Sequence, residues 1–212
     1  MDKNGCLNLS LGIMVEKDAI ENADLVVIEV NENLPRTHGD TLIHIRDVDV
    51  IVENHRPVPA LPSVVPTDKD KLIGQYIAEL VEDGSTIQLG IGGIPNAATL
   101  FLADKRDLGV HTEMLSDAIV DLVEAGAITG REKTIWKDKI VATYAFGSKK
   151  LYDFIHDNPM IEMQRGSVVN DPYVVGQNHK MVSINTTLQV DLFGQCCSEA
   201  IGFRQYSGSG GA

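Results

Sequence analysis

The stretch TIQLGIGGIPNAATLFL, residues 86–102, decides the fold class of this chain. Its first residues read as a buried β-strand, its glycines as a tight turn, and residues 95–105 as a helix, with Pro95 suited to the first turn. Backbone N–H groups at such a helix N-terminus, aided by the helix dipole, can bind an anion or stabilise a developing oxyanion. A plain connection between a strand and a helix would look the same, so both interpretations stay open.

The next predicted strand, near GVHTEM at residues 109–114, carries a carboxylate. Glu113 follows Gly90 by 23 residues, about one helical crossover, so it should lie at the same edge of the sheet as the glycine turn. Ligands bind at that edge in open α/β sheets. A carboxylate facing N–H donors suits nucleophilic acyl transfer. The alternative is a glutamate that caps the helix starting near Ser116.

Strands and helices alternate along the rest of the chain. SDAIVDLVEAGAI should bury Ile119, Val120, Leu122 and Val123, and SKKLYDFIHDN is a further helix, while IVATYAF, MVSINT and LQVDLF read as strands. This order predicts an α/β fold with a mostly parallel sheet. Thr67 or Asp68 should cap an earlier helix with an apolar stripe, whose predicted members are Leu72, Ile73, Ile77, Leu80 and Val81.

A proline-rich window at residues 57–66 predicts a domain boundary, because neither a helix nor a central strand can propagate through it. The sequence therefore divides into a unit at 1–56, a linker at 57–66 and a second unit at 67–212. The first unit reads mostly as strands. Within it, LVVIEV at residues 25–30 is nearly continuous in apolar residues, which predicts a strand covered on both faces.

Composition excludes several classes of protein. The 212 residues are 43% apolar and carry a net charge of -12, which argues against a duplex-DNA binder with a broad basic face. The long uncharged stretch around the glycine turn contains too many glycines and polar residues for a membrane span. Three cysteines without CxxC spacing favour a reducing, cytoplasmic environment, and six scattered histidines do not predict a metal site.

Several other side chains have two interpretations. His111 can orient Glu113 or can be a structural histidine. Lys149 and Lys150 can meet phosphates or can lie solvated in a first helical turn. Glu199 is a second candidate carboxylate. Cys196 and Cys197 are expected to be buried small residues, since no neighbour in the sequence would lower a thiol pKa.

Motifs along essentially the whole chain resemble the 4-hydroxybutyrate CoA-transferase branch of the acetyl-CoA hydrolase/transferase family. In chain order these are MDKNGCLNLSLG, VVIEVNENLPRTHGDTLIHI, GIGGIPNAA, GVHTEMLSDAIVDLVEAGAITG, FGSKKLYDF, NDPYVVGQN, SINTTLQVDLFGQCCSE and RQYSGSGG. The resemblance implies two related α/β domains of the CoA-transferase type with mostly parallel sheets, an active site between them and a homo-oligomer. Family chains are about twice as long, so both domains are expected to be incomplete here.

The resemblance also assigns roles to residues. Glu113, in the HTEM motif, would be the nucleophile that becomes a glutamyl-CoA thioester. The residues expected to contact CoA and the acyl oxygen are Gly90, Ile91, Gly92, Gly93, Ile94, Leu188 and Gly211. The Ser/Gly composition of residues 207–212 alone is typical of a linker, whereas the resemblance favours a glycine turn of the family.

The implied reaction is a ping-pong transfer of CoA between an acyl-CoA and a short-chain carboxylic acid, such as acetate, butyrate or 4-hydroxybutyrate. CoA is then a substrate and a covalent intermediate, and neither a metal nor a prosthetic group is expected. Two alternatives stay open: an acyl-CoA hydrolase on the same scaffold, in which water resolves the intermediate, and a non-catalytic remnant that binds CoA.

Overall fold

The computed structural model describes residues 1–61 and 65–208. The helices are α1 Glu16–Asn22, α2 Asp68–Leu80, α3 Gly93–Leu102, α4 Asp117–Glu124, α5 Lys149–Ile155, α6 Gly166–Val169 and α7 Pro172–Val175, and a 3-10 turn spans Ile45–Asp47. The strands are β1 Cys6–Asn8, β2 Val27–Val30, β3 Leu42–His44, β4 Val50–Glu53, β5 Thr86–Leu89, β6 Gly109–His111, β7 Met114–Leu115, β8 Ile140–Ala142, β9 Tyr144–Ala145, β10 Ile161–Met163, β11 Met181–Ile184, β12 Gln189–Val190, β13 Cys196–Cys197, β14 Ala200–Ile201 and β15 Arg204–Gln205.

A five-stranded parallel sheet forms the centre of the molecule, in the order β10-β8-β6-β5-β11. Ile87, Val110, Ile140 and Ile161 on its strands are fully buried. Strands of this kind are covered on both faces, as is usual for parallel sheets. The predicted α/β class with a mostly parallel sheet is confirmed. Strand order reverses at β5, because β6, β8 and β10 follow on one side and β11 returns to the other.

Helix α2 begins as predicted but packs differently. Thr67 caps it, with a reciprocal capping box to Asp70. The predicted apolar stripe is confirmed only in part, since Val81 is 1% exposed and Ile77 packs against the core, whereas Leu72 is 53% and Leu80 is 80% exposed. The helix also packs through Gly74, where an added Cβ would lie 2.7 Å from the backbone carbon of Ala97 in α3. This contact brings the two backbones close and leaves Leu72 and Leu80 on the outer side of the helix.

Helices α3 and α4 both end earlier along the chain than the sequence predicted. Helix α3 starts at Gly93, after Gly92 at φ 114°, and ends at Leu102 rather than at 105. In α4 the predicted face is confirmed, because Ile119, Val120 and Leu122 are each 1% exposed. The glycine turn therefore leads directly into α3, which keeps the helix N-terminus at the edge of the sheet.

The expectation that β2 is covered on both faces is wrong. Val27 is 52% exposed, and Ile51 and Val52 on β4 are 41% and 46% exposed. Within the described residues, β2 pairs with β4 in a separate two-stranded parallel ladder. Continuous apolar residues indicated a buried strand, yet no layer of described helices covers this ladder.

Residues before the proline-rich window pack directly on the central sheet. Arg165, just before α6, bonds to Asp18, Glu21 and Asp40, with N–O distances of 2.5–2.7 Å. The carbonyl of Met14 accepts from the N–H of Gly166 at 3.0 Å. These contacts bring Met14 to the same edge of the sheet as Glu113. The domain limits at 57–66 stay a prediction, and residues 62–64 lie outside the described ranges.

In residues 1–61 and 65–208, we find no helix with the length and apolar character needed to cross a membrane.

Candidate active site

An open cleft of about 910 Å³ lies at the carboxyl ends of β5, β6 and β11. The strand order reverses here, which is where open α/β sheets bind their ligands. The residues that line it are Met14, Gln88, Leu89, Gly90, Ile91, His111, Thr112, Glu113, Met114, Tyr144, Val169, Asn170, Val175, Met181, Ser183, Asn185, Thr186 and Gly208. The prediction that Glu113 and Gly90 share one edge of the sheet is therefore confirmed.

The backbone of Glu113 is fixed on one side of the cleft. Its carbonyl accepts from the N–H groups of Thr143 and Tyr144 at 3.0 and 3.1 Å, in the connection between β8 and β9. Its side chain is half-buried. Ser116, rather than Glu113, is the N-cap residue of α4. The alternative of a helix-capping glutamate is therefore not supported.

The side chain of Glu113 has a partner that the sequence analysis missed. Asn170 Nδ2 donates to Glu113 Oε2 at 2.7 Å. Asn170 is the residue that ends α6 and precedes the Asp-Pro pair opening α7. It begins the NDPYVVGQN motif, which was noted for its resemblance but not for a polar side chain in the site. The amide therefore holds one oxygen of a carboxylate that lines the cleft.

Tyr144 lines the cleft beside Glu113. Burial, together with the negative charge of Glu113, raises the pKa of Tyr144 above its usual value. The phenol therefore stays protonated at neutral pH and can only present a hydroxyl group to a ligand. This keeps the carboxylate of Glu113 as the anionic group on this wall of the cleft.

His111 lines the cleft but is almost fully buried, and the buried Lys133 donates to the carbonyl of the preceding residue, Val110, at 2.8 Å. His111 is 1% exposed, and its Nε2 lies 2.8 Å from the carbonyl oxygen of Val169. Burial lowers the pKa of His111, and the charge of nearby Lys133 adds to this, while the bond to Val169 opposes it. Burial likewise lowers the pKa of Lys133 to about 7. The burial of His111 thus favours a role within the fold over direct contact with a ligand.

The start of the glycine turn lines the same cleft as Glu113. Gly90 and Ile91 line the cleft, but the N–H of Gly90 already donates to the carbonyl of Ile184 at 3.0 Å. Gly92 is the N-cap position of α3, and Gly93 and Ile94 form the first turn, where N–H groups have no partner inside the helix. These N–H groups, rather than that of Gly90, have the character of an anion site.

Among the other residues predicted to contact CoA, those that the structure describes do not line the cleft. Gly92 is not among the residues lining the cleft, and together with Ile91 it lines a second cavity of about 220 Å³ beside α3 and α4. Leu188 is 42% exposed and is not among the residues lining the cleft. Gly211 lies outside the described residues. A role for Leu188 and Gly211 in binding stays a prediction.

A polar network that the sequence analysis also missed covers the β5–β11 side of the cleft. Ser183 Oγ donates to Gln88 Oε1 at 2.6 Å, and Asn185 Nδ2 donates to the same oxygen at 3.1 Å. Gln88 Nε2 in turn donates to Asn185 Oδ1 at 3.0 Å. The alternation of a strand places Gln88 two residues before Gly90 on the same face, which is the signal that would have found it.

The two lysines near the start of α5 are engaged with carboxylates. Lys149 pairs with Asp153 at 2.6 Å. Lys150 lies 2.6 Å from both Asp121 and Glu124, and hydrogen bonds to those two groups raise its pKa. These pairings favour the solvated surface interpretation over contact with phosphates.

The expectation for the cysteine pair is wrong. Cys196 is exposed and Cys197 is half-buried, because they lie on β13 in a small hairpin rather than in the core. Backbone groups of Glu199 and Ala200 lower the pKa of Cys197. Glu199 itself is half-buried and is not among the cleft-lining residues.

Among the described residues, we find no group of three or more His, Cys, Asp or Glu side chains placed to hold a metal ion. The cleft brings together the carboxylate of Glu113 with the amide of Asn170, the Gly90–Ile91 part of the turn before α3, and a set of amide and hydroxyl groups on β5 and β11. This arrangement can present a nucleophilic oxygen to a carbonyl carbon and N–H donors to its oxygen.

Curated proteins are similar to this chain over almost all of its length. A 4-hydroxybutyrate coenzyme A transferase of Clostridium kluyveri is 50% identical over 210 residues, which are 99% of this chain and 49% of that protein. A succinyl-CoA:cyclohexane-1-carboxylate CoA transferase of Geobacter metallireducens is 49% identical over 211 residues, or 100% of this chain and 48% of that protein. The chain thus spans about half the length of the curated relatives it matches.

A solved structure has the same fold over the same part. The crystal structure of RipA from Yersinia pestis is 39% identical, with a TM-score of 0.91, over 95% of this chain and 47% of that chain. The acetyl-CoA hydrolase/transferase N-terminal domain matches residues 1–62, and the C-terminal domain of the same family matches residues 147–212. Because these two matches together span more than half of the chain, it belongs to the acetyl-CoA hydrolase/transferase family.

Proposed function

We propose that this chain carries the catalytic centre of a CoA-transferase that moves CoA between an acyl-CoA and a short-chain carboxylic acid. The observation that carries the proposal is the carboxylate of Glu113, held by Asn170 at 2.7 Å in a cleft that Gly90 and Ile91 of the glycine turn also line. A hydrogen bond to one carboxylate oxygen fixes the side chain and leaves the other oxygen for attack.

In the first step, an oxygen of Glu113 attacks the thioester carbonyl carbon and the carbon–sulfur bond breaks. The products are a mixed anhydride and CoA thiolate. The thiolate then attacks the carbonyl carbon of the Glu113 side chain, and the first acid leaves as a carboxylate. A glutamyl-CoA thioester remains, and no proton is gained or lost. A second carboxylate then reacts through the same two steps in reverse, which forms the new acyl-CoA and regenerates the carboxylate of Glu113.

The oxyanion of each step requires N–H donors. We assign them to the turn residues after Gly90, because the N–H of Gly90 is bonded to Ile184. Each such donor contributes about 3 kcal/mol to the reduction of the barrier. Ile91 lines the cleft and is the first candidate for this role, and the resemblance adds Gly92, Gly93, Ile94, Leu188 and Gly211 as contacts of CoA or the acyl oxygen.

The class of substrate follows from the cleft and from the relatives. Met14, Met114 and Val169 supply apolar surface for a short acyl chain, whereas Gln88 and Asn185 supply polar groups. Both relatives are named as CoA transferases, one for 4-hydroxybutyrate and the other for succinyl-CoA and cyclohexane-1-carboxylate. We propose 4-hydroxybutyryl-, butyryl- or acetyl-CoA as the donors, and a cytoplasmic homo-oligomer as the working form.

The test is chemical trapping of the intermediate. With an acyl-CoA present, hydroxylamine or borohydride should modify Glu113 and no other glutamate in the wild-type protein, as read by peptide mass. Glu113→Gln should abolish both trapping and CoA transfer, while Glu79→Gln, at an exposed position on α2, should leave both unchanged. Transfer at the wild-type rate by Glu113→Gln would contradict the proposal.

In the hydrolase alternative, water rather than a carboxylic acid reacts with the glutamyl-CoA intermediate. Loss of the thioester can be followed with and without added acetate. A transferase loses little thioester until acetate is present, because water is a poor substitute for the acid. Rapid loss without any acid would assign the same centre to a hydrolase, and CoA binding without trapping or turnover would indicate the non-catalytic alternative.

A further inference from the structure

We propose that His111 is a positioning residue for Glu113. Its imidazole holds the carbonyl of Val169, and thereby places the next residue, Asn170, so that the amide reaches the Glu113 carboxylate. The kinetic consequence rests on the proposed function, whereas the positioning itself does not. Nothing in this role brings His111 into contact with substrate.

His111 and Glu113 lie on one short segment, Val169 and Asn170 lie on another, and two hydrogen bonds join the two segments. His111 ends β6, and Glu113 follows two residues later. Val169 and Asn170 are consecutive at the end of α6. One hydrogen bond of 2.8 Å joins His111 to Val169, and one of 2.7 Å joins Asn170 to Glu113. Displacement of either segment changes both distances together.

Helix α6 depends on contacts from outside for its position. It has four residues, too few to be stable alone. The carbonyl of Met14 binds its first N–H, at Gly166, and His111 binds the carbonyl of its last residue, Val169. The carbonyl groups at a helix end have no partner within the helix. His111 therefore supplies the contact at the end of α6 that carries Asn170.

The protonation of His111 follows from this partner. A carbonyl oxygen can only accept, so the proton must be on Nε2. Nδ1 is buried and has no hydrogen-bond partner among the described residues. The groups near the ring are Trp136, with ring centroids 6.0 Å apart, and Lys133, whose charge acts against protonation. The ring is thus neutral, and its one N–H is directed at Val169.

This arrangement is unusual for a core residue with no further role. An apolar side chain such as leucine would fill the volume without a buried, unpartnered nitrogen. The imidazole contributes one thing that leucine cannot, the N–H donor to Val169. That donor acts on the segment that holds the candidate nucleophile.

The first measurement reads the proton directly in the wild-type protein. With ¹⁵N-labelled histidine, NMR should show His111 as the neutral Nε2–H form across neutral pH, identified by the loss of its signals in His111→Gln. A proton on Nδ1, or a charged ring at neutral pH, would overturn the proposal.

The second measurement uses the side-chain amide of Asn170 as a reporter that needs no turnover. Asn170→Ala identifies its NMR signals, and Glu113→Gln gives their position when the charged acceptor is removed. His111→Leu should move the Asn170 signals away from the wild-type position, whereas His111→Gln, which keeps an N–H donor, should restore them. Unchanged signals in a folded His111→Leu variant would overturn the proposal.

The kinetic arm separates positioning from general loss of stability. In His111→Leu the rate of glutamyl-CoA trapping should fall about 10- to 100-fold, with the KM for acyl-CoA little changed, and His111→Gln should recover most of it. Ile155→Val, buried in α5 away from the cleft, is the control for a weakened core and should keep the wild-type rate. A wild-type protein that forms no glutamyl-CoA contradicts the proposed function alone, and the NMR arms still decide the role of His111.

Discussion

The amide of Asn170 lies 2.7 Å from the carboxylate of Glu113, although 57 residues separate them in the chain. Glu113 follows strand β6 by two residues, and Asn170 lies at the end of α6. A hydrogen bond between a neutral donor and a charged acceptor is shorter and stronger than one between neutral groups. The proposed nucleophile is thus held in place within the protein itself.

Removal of this amide should slow the reaction without removing the nucleophile. We expect Asn170→Ala to lower kcat about 10- to 100-fold, since hydrogen bonds to charged groups contribute about 1.5–3 kcal/mol. Glu113 should still be trapped, but more slowly. Single-turnover trapping measures the rate.

Asn170→Asp is the matched variant of the same size. It replaces the donor with a second carboxylate, which repels the carboxylate of Glu113. Its loss of rate should exceed that of Asn170→Ala at pH 7 and diminish as the pH falls. Equal rates for the wild type and both variants would show that the contact has no catalytic consequence.

Lys133 should make the stability of the protein depend on pH above neutrality. Burial lowers its pKa to about 7, whereas an unfolded lysine keeps the usual value of 10.5, so the unfolded chain binds more protons between these values. The free energy of unfolding therefore rises with pH across that window, by at most about 1.4 kcal/mol per pH unit. Urea unfolding at pH 7, 8, 9 and 10 measures it.

Lys133→Met retains the buried stem and removes the titrating group. The rise of the free energy of unfolding with pH should then flatten, because the variant has no lysine at this position to release a proton on folding. Lys69→Met, at an exposed position, should keep the slope of the wild type. The same slope in the Lys133 variant and the wild type would contradict a lowered pKa in the folded state.

Arg165 should couple the N-terminal segment to the sheet. Its hydrogen bond lowers the pKa of Glu21, and bonds from Lys17 and Arg165 lower the pKa of Asp40 despite the opposing effect of burial. We expect Arg165→Met to lower the Tm by roughly 2–6 °C at pH 7. Arg131→Met, which removes one exposed pair with Asp107, should have a smaller effect.

The sign of the pH dependence is a second check on Arg165. Carboxylates with a lowered folded pKa contribute stability above their unfolded values, 4.5 for Glu21 and 3.8 for Asp40, and lose it as the pH falls through the folded pKa. The Tm difference between the wild type and Arg165→Met should therefore shrink below about pH 4. A difference that persists at pH 2 would assign the effect to packing.

The exposed part of the apolar stripe of α2 shows where prediction from periodicity fails. Leu72 and Leu80 have the spacing of a buried face, but Gly74 on the adjacent face lets the backbone of α3 approach to within 2.7 Å of an added Cβ. Periodicity records where apolar residues lie on a helix. It does not record which face the neighbouring helix contacts, since that depends on how closely two backbones can pack.

The same distinction holds for the candidate site. The sequence by itself determined the order of strand, glycine turn and helix, and the position of Glu113 at the edge of the sheet, because both follow from local pattern and from the geometry of parallel strands. Only the tertiary structure decided that Asn170 holds Glu113, that the N–H of Gly90 is occupied by Ile184, and that His111 binds Val169. These contacts join segments far apart in the chain, and a hydrogen bond depends on distances of a few tenths of an ångström that no local pattern specifies.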